Sequence, residues 1–186
     1  MSDADMKANE TDTVEAPDDA NNVLIAALMD IERHVTSQGW DQPARLFALV
    51  RTDELVRNEP SLAAHLTQGN PDSLSSIEQE DFHAGGDLPE LLATLGRMSW
   101  PASVFGCALA LERAFLAPQH ESEIPQQNPD EFVANHPQRQ DMRIVVGALR
   151  DGARYGVARL LSHPDDLLGT QELAPDLIDA VAGTLT

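Results

Sequence analysis

The stretch at residues 142–161, MRIVVGALRDGARYGVARLL, has two apolar runs on either side of an Asp-Gly pair at Asp151 and Gly152. This pair is the preferred chemistry for a two-residue turn with positive backbone angles between two strands. The stretch therefore predicts a β-hairpin with strands at 142–150 and 153–161.

The hairpin and the apolar run before it share an uneven distribution of side-chain size. A two-residue turn pairs Arg150 with Ala153 and Gly147 with Gly156, which leaves one face bulky and the other nearly bare. In the run 104–115, large side chains alternate with glycine and alanine: Phe105, Cys107, Leu109 and Leu111 against Gly106, Ala108 and Ala110. We expect a helix to lie close against the small face, and the closing helix or a second chain to cover the bulky face.

The run 104–115 is ambiguous, because ALALERAFL favours a helix by propensity while Pro101 and Gly106 suit a strand that opens after a turn. We predict a strand.

The stretch GWDQPARLFALV, residues 39–50, predicts a structural corner. Gly39 ends a helix, Pro43 prevents its continuation, and Trp40 fills the corner while Asp41 bonds to backbone amides of the turn.

These patterns predict an α+β fold with a single domain at residues 21–186, after a disordered acidic tail at residues 1–20. The sheet is mainly antiparallel and four-stranded, with flanking helices and a C-terminal helix. Its strands are expected at 45–51, 104–115, 142–150 and 153–161, and its main helices at 22–38, 88–97 and 175–185. Shorter helices are expected at 61–68 and 130–135, with a mobile acidic loop at 71–86.

The composition excludes several classes of partner. A net charge of −19 argues against nucleic acid, because a phosphate backbone must be neutralised by Lys and Arg. Eleven arginines accompany a single lysine, Lys7, which disfavours an anionic membrane surface. The chain has neither a long apolar run nor a signal-like start, so we expect no membrane insertion and a cytoplasmic protein.

Recognisable catalytic and cofactor motifs are missing from the sequence. Six histidines are scattered without metal-ligand spacing, and Asp165 and Asp166 are typical of a solvated turn, so no metal site and no cofactor are predicted. Cys107 lies in the apolar FGCALAL and is interpreted as an inert core thiol, although His136 or His163 could activate it if the fold brought them together. No GxSxG, GxxxxGK or GxGxxG occurs.

The candidate partner-binding surface is a group of arginines in or beside the hairpin, which carries a net charge of +3 across residues 139–161 of an acidic protein. The alternative is that these arginines pair with acidic groups of the same chain. The group consists of Arg139, Arg143, Arg150, Arg154 and Arg159.

Three stretches together resemble an uncharacterised conserved protein family of actinobacteria that has no assigned activity. They are WDQPARLFALVRTDEL at 40–55, WPASVFGCALALER at 100–113 and HPQRQDMRIVVGALRDGARYGVARL at 136–160. The resemblance covers about residues 22–185 and supports the order of elements. It implies no catalytic residues.

We predict a non-catalytic protein-binding or adaptor module, chaperone-like, that acts through an apolar sheet face and the arginine-rich hairpin on a protein partner or in a homodimer. The alternative is an enzyme or small-ligand-binding protein with a pocket near Trp40, Trp100 and Cys107. A third hypothesis assigns the acidic tail a regulatory role as a nucleic-acid mimic.

Overall fold

The structure of the chain is a computed structural model, which describes residues 19–61, 73–83, 88–116 and 118–186. The predicted acidic tail lies outside the described residues up to residue 18. The predicted helix at 61–68 lies outside them from residue 62 onward, as do parts of the predicted acidic loop. None of the described helices is long and apolar enough to cross a membrane.

The described elements alternate between helices and strands in the first half and become strand-rich in the second. A 3₁₀ helix, η1, and a short helix lie in the connection between the third and fourth strands. In chain order the elements are α1 Asp19–Thr36, β1 Arg45–Arg51, α2 Thr52–Asn58, β2 Leu74–Glu78, α3 Leu88–Gly96, β3 Gly106–Phe115, η1 Pro118–Glu123, α4 Pro129–Asn135, β4 Gln140–Leu149, β5 Arg154–Leu160, β6 His163–Thr170 and α5 Pro175–Gly183.

The strands form one antiparallel sheet in the order β2-β1-β3-β4-β5-β6. The α+β class and the flanking helices are confirmed, but the prediction of four strands is wrong, because two edge strands were missed. β2 is the short polar segment LSSIE, which has no apolar run. β6 is HPDDLLGT, whose proline and aspartates indicated a turn. Edge strands tolerate such residues because one side of the backbone needs no partner.

The hairpin between β4 and β5 is present, but its predicted register is wrong by one residue. Leu149 N donates to Ala153 O over 2.9 Å, and Gly152 N donates to Leu149 O over 3.0 Å. The loop therefore has three residues, with Gly152 at a φ of 100°. This arrangement is the three-residue hairpin that ends in a left-handed glycine, an alternative to the two-residue turn. As a result Val146 pairs with Gly156.

The small face of β3 and β4 lies under α1, as the sequence predicts. Ala108, Ala110 and Val145 form one buried cluster with Leu24 and Leu28 of the helix. The helix approaches so closely that a Cβ built at Gly147 would be 2.8 Å from a methyl carbon of Leu28. The residue sizes on this face therefore set how near α1 can pack.

The larger face of the same strands lies under α3 and α5. Cys107, Leu109 and Val146 are buried with Leu95 of α3 and Ile178 of α5. Residues 106–115 are a strand rather than a helix, so the choice between the two is resolved in favour of the strand. The centre of the sheet is consequently covered on both faces by helices of the same chain.

Candidate functional site

Arg143, one of the five predicted partner-binding arginines, is completely buried under the end of α1. Its Nη1 donates to Thr36 Oγ1 over 3.0 Å, and its Nη2 donates to Glu112 Oε1 over 3.3 Å and to the Gly39 carbonyl. The guanidinium also stacks on Trp40, with 4.4 Å from Cζ to the ring centroid. Arg143 therefore anchors the corner after α1 and is closed to a partner.

Arg159 is the cross-strand neighbour of Arg143 and continues the same polar network. Its Nη2 donates to Glu32 Oε2 over 3.0 Å, and Thr36 Oγ1 donates to Glu32 Oε1 over 2.7 Å. Burial alone would raise the pKa of Glu32, but the hydrogen bonds from Arg159 and Thr36 outweigh it, so this pKa is lowered. A buried carboxylate with such partners is stable only while it is charged.

The corner at residues 39–45 is structural, and Glu112 completes it. The backbone amides of Asp41 and Gln42 donate to its carboxylate over 3.0 and 2.7 Å. The side chain of Gln42 donates to the carbonyls of Val35 and Gly39 at the end of α1. This stretch therefore serves to turn the chain from helix to sheet. Asp41 itself contributes a backbone amide and a φ of 64°.

Arg150 binds backbone carbonyls from two other parts of the chain. Its Nε donates to Val104 O over 2.7 Å, its Nη2 donates to Trp100 O and Pro101 O over 3.1 Å each, and its Nη1 donates to Leu185 O. A forked guanidinium suits several acceptors at once. The residue therefore ties the hairpin tip to the loop before β3 and to the C-terminal residues.

Arg139 and Arg154 stay exposed, as does Arg150 at the hairpin tip. The side chains of Arg139 and Arg154 are 47% and 49% accessible, and they face Asp141 and Asp179. Exposed ion pairs contribute little to stability and exchange readily. The structure thus spreads the five arginines over several environments and leaves Arg139, Arg150 and Arg154 within reach of a partner.

The residues proposed for a pocket lie on different faces of the sheet. Cys107 and Trp100 belong to the face under α3 and α5, where Trp100 Nε1 donates to Thr184 Oγ1 over 2.9 Å. Trp40 lies on the α1 face against Arg143. Burial raises the pKa of Cys107 to about 12, against weaker hydrogen bonds from Thr184 and Trp100 that lower it. A fully buried thiol with this pKa is protonated at neutral pH and is not a nucleophile.

An apolar corner of the sheet remains exposed at β6, beyond the cover of α5. Met142 pairs with Leu160, and Leu168 pairs with Ala158, so all of these side chains point to the α5 face. Leu168 is 53% exposed. Within the described part of the chain, no strand pairs with the outer side of β6. We call Leu168, together with the half-buried Met142 and Leu160 beside it, the exposed corner.

A second group of polar side chains, which sequence spacing did not predict, lies in the connection between β3 and β4. His120 Nδ1 is 2.8 Å and His136 Nε2 is 3.4 Å from Glu123 Oε2. Beside His136 runs an open cleft of about 420 Å³, lined by residues that include Asn128, Glu131 and Phe132. The i, i+3 spacing of His120 and Glu123 on one helical turn was the available signal.

These observations define an α+β protein built on one six-stranded antiparallel sheet with helices on both faces, in which most charged residues near the hairpin serve the fold. The chain belongs to the PPA1309-like protein family, whose family model matches residues 24–186. This membership confirms the resemblance to an uncharacterised family. No curated protein and no solved structure matches the chain.

Proposed function

We propose that this chain is a non-catalytic protein-binding module that pairs the outer side of β6 with an extended segment of another protein. The observation that carries the proposal is the exposure of Leu168 on an edge strand that has no described neighbour on its outer side. An open edge offers backbone donors and acceptors to an added strand, and an apolar side chain beside it gives specificity.

The available part of the edge is short and well defined. His163 pairs with Leu160, and the pairing with β5 resumes only at Leu167, opposite Arg159. Residues 164–166 therefore bulge out of the sheet and block strand addition there. The segment Leu167–Thr170 is the part of β6 that an added strand can pair with.

Charge around this edge selects a basic partner segment. Asp165 and Asp166 lie exposed at one end of the pairing segment, and Glu172 lies exposed just past the other. The whole chain carries a net charge of −19. Opposite charges speed the encounter and exclude acidic partners. A segment that alternates apolar and basic residues fits both the exposed corner and the flanking carboxylates.

The same charges disfavour a homodimer at this edge. A two-fold antiparallel pairing centred between Leu168 and Gly169 would bring Asp165 of one copy near Glu172 of the other, just outside the paired segment. Like charges brought this close together repel each other. A second copy of the chain is therefore the weaker candidate occupant of β6.

A labelled peptide of alternating valine and lysine tests the proposal by fluorescence anisotropy. We expect Leu168→Asn to weaken its binding about tenfold or more, because the variant loses the apolar contact at the edge. Ile77→Asn is the matched control, since Ile77 is 41% exposed on β2 at the opposite edge of the sheet. A peptide of the same sequence with every backbone nitrogen methylated retains the charge and has no backbone N–H with which to pair as a strand on either edge.

Equal binding of the plain and methylated peptides, or equal weakening by the two variants, would show that only charge attracts the peptide and would overturn the proposal. Light scattering on the purified chain tests whether a second copy of the chain occupies the edge of β6. A dimer that Leu168→Asn dissociates and Ile77→Asn preserves would assign the edge to a second copy instead.

A further inference from the structure

We propose that His120, Glu123 and His136 bind a divalent transition-metal ion such as Zn²⁺ in the connection between β3 and β4. Each residue offers one ligand atom, and these atoms lie within 4.8 Å of one another. Two imidazole nitrogens and one carboxylate oxygen form a donor set that suits Zn²⁺ and other first-row transition metals. Ca²⁺ and Mg²⁺ favour sites made of oxygen ligands alone. The inference is independent of the edge of β6.

Two different elements bring the three side chains together. His120 and Glu123 lie one turn apart in η1, whereas His136 follows directly after α4. The His136 side chain is only 12% exposed. Its ring is 5.5 Å from that of Phe132 and 5.2 Å from that of His120, measured between centroids. The imidazoles are therefore held near each other before any ion binds, which lowers the cost of ordering them.

Glu123 is suited to act as an anionic ligand. Its carboxylate accepts a hydrogen bond from His120 Nδ1 over 2.8 Å and lies 3.4 Å from His136 Nε2. Metal binding would replace the two imidazole contacts of this carboxylate by bonds to one shared cation. The negative charge of the Glu123 carboxylate would thus have favourable partners both with and without the ion.

The tautomer of His136 makes a specific structural prediction. In the structure the backbone N–H of Gln138 donates to His136 Nδ1 over 3.0 Å, so the neutral ring carries its proton on Nε2, towards Glu123. An ion bound at Nε2 requires the proton to be on Nδ1. The Gln138 amide must then lose its acceptor, and the turn that leads into β4 must rearrange.

The position of the site relative to the cleft indicates access for a further ligand. Three protein ligands leave at least one position of a tetrahedral ion for water. His136 lines the open cleft together with Asn128, Glu131 and Phe132. An ion on the wall of this cleft would therefore remain reachable by water and by small anions.

Titration calorimetry of the full chain with Zn²⁺ tests the inference. We expect one equivalent to bind, and both His136→Asn and Glu123→Gln to weaken binding about tenfold or more. Asparagine at position 136 can still accept the Gln138 amide through its side-chain oxygen, so the turn is retained while the ligand is lost. The control is His163→Asn, because His163 is exposed in β6 and bonds only locally to Ser162.

Amide NMR of Gln138 provides a second readout that a structural role of His136 would not produce. Zn²⁺ is expected to shift this resonance and to speed its hydrogen exchange in the wild-type chain and in His163→Asn, and to leave it unchanged in His136→Asn. Absence of stoichiometric Zn²⁺ binding to the wild-type chain would overturn the inference. Equal loss of affinity in His136→Asn and His163→Asn would overturn it as well.

Discussion

Arg143 lies face to face with Trp40, with its guanidinium carbon 4.4 Å from the centroid of the ring. Trp40 follows Gly39, three residues past the end of α1, whereas Arg143 is in β4, so the contact joins the turn after the helix to the sheet. A cation–π contact that is removed from water is among the stronger contacts of its kind. This pair is the centre of the network that fixes the corner.

Replacing Arg143 by lysine is expected to lower the free energy of unfolding by about 2–3 kcal/mol, the scale of losing a hydrogen bond between buried charged groups. Lysine cannot reach Thr36, Glu112 and the Gly39 carbonyl at once, and it cannot stack as a planar group. Urea unfolding followed by circular dichroism and tryptophan emission measures the change. Arg33→Lys, at an exposed helix position, is the control. A loss below about 1 kcal/mol at Arg143 would contradict the network.

Glu32→Gln is expected to destabilise the chain at neutral pH and to have little effect in acid. Because the pKa of Glu32 is lower in the folded chain than its ordinary value of 4.5, its contribution is complete above pH 4.5. The contribution is lost as the pH falls through the folded-state pKa. Unfolding free energies measured from neutral to acidic pH should therefore differ between wild type and variant at neutral pH and converge in acid.

Asp30→Asn provides the comparison for this pH series. Asp30 is a neighbouring carboxylate on the same helix, and it pairs with Arg33 where both side chains are largely exposed. Its removal should change stability by less than about 1 kcal/mol at any pH. A gap between wild type and Glu32→Gln that stays constant into strong acid would disprove the role of the Glu32 charge.

Gly106→Ala is expected to cost about 1–3 kcal/mol, as overpacked core substitutions do. A Cβ at this position would be 2.4 Å from a methyl carbon of Leu149 and 2.8 Å from the carbonyl oxygen of Ala148. The second of these atoms belongs to the backbone of β4 and cannot turn away. Gly183→Ala is the matched control, because a Cβ there meets nothing within 4 Å; its stability should stay equal or rise.

Cys107 is expected to be unreactive towards a disulfide reagent such as DTNB while the chain is folded. With a pKa of about 12, roughly one thiol in ten thousand is ionised at about pH 8, and the side chain is fully buried. Urea-unfolded chain should release one equivalent of thionitrobenzoate. Rapid release from the folded chain would show that Cys107 is accessible and would reopen a catalytic role.

The elements with strong local patterns were predictable. α1 has an apolar stripe and is followed within three residues by Gly39, and the hairpin has an Asp-Gly pair between apolar runs, so both could be located from periodicity and turn chemistry. β2 and β6 have weak patterns because each is an edge strand with one solvated side. An edge strand needs few apolar residues, and sequence periodicity is then a poor guide.

The register of the hairpin could not be predicted from the local sequence to within one residue. Asp-Gly suits both a two-residue turn and a three-residue loop that ends in a left-handed glycine. Local sequence does not distinguish them, since Arg150 can be paired or in the loop. In the folded chain Arg150 is in the loop and binds the carbonyls of Val104 and Leu185, which are distant in sequence.

The sequence by itself determined the α+β class, the alternation of small and large side chains along the strands and the acidic character of the chain. These features depend on residue type and spacing, which are local properties. Only the tertiary structure decided which arginines bind carbonyls and carboxylates of the same chain, and only it brought His120 and His136 to one carboxylate. Such contacts join residues far apart in the chain, and their partners are set by packing of the helices on the sheet.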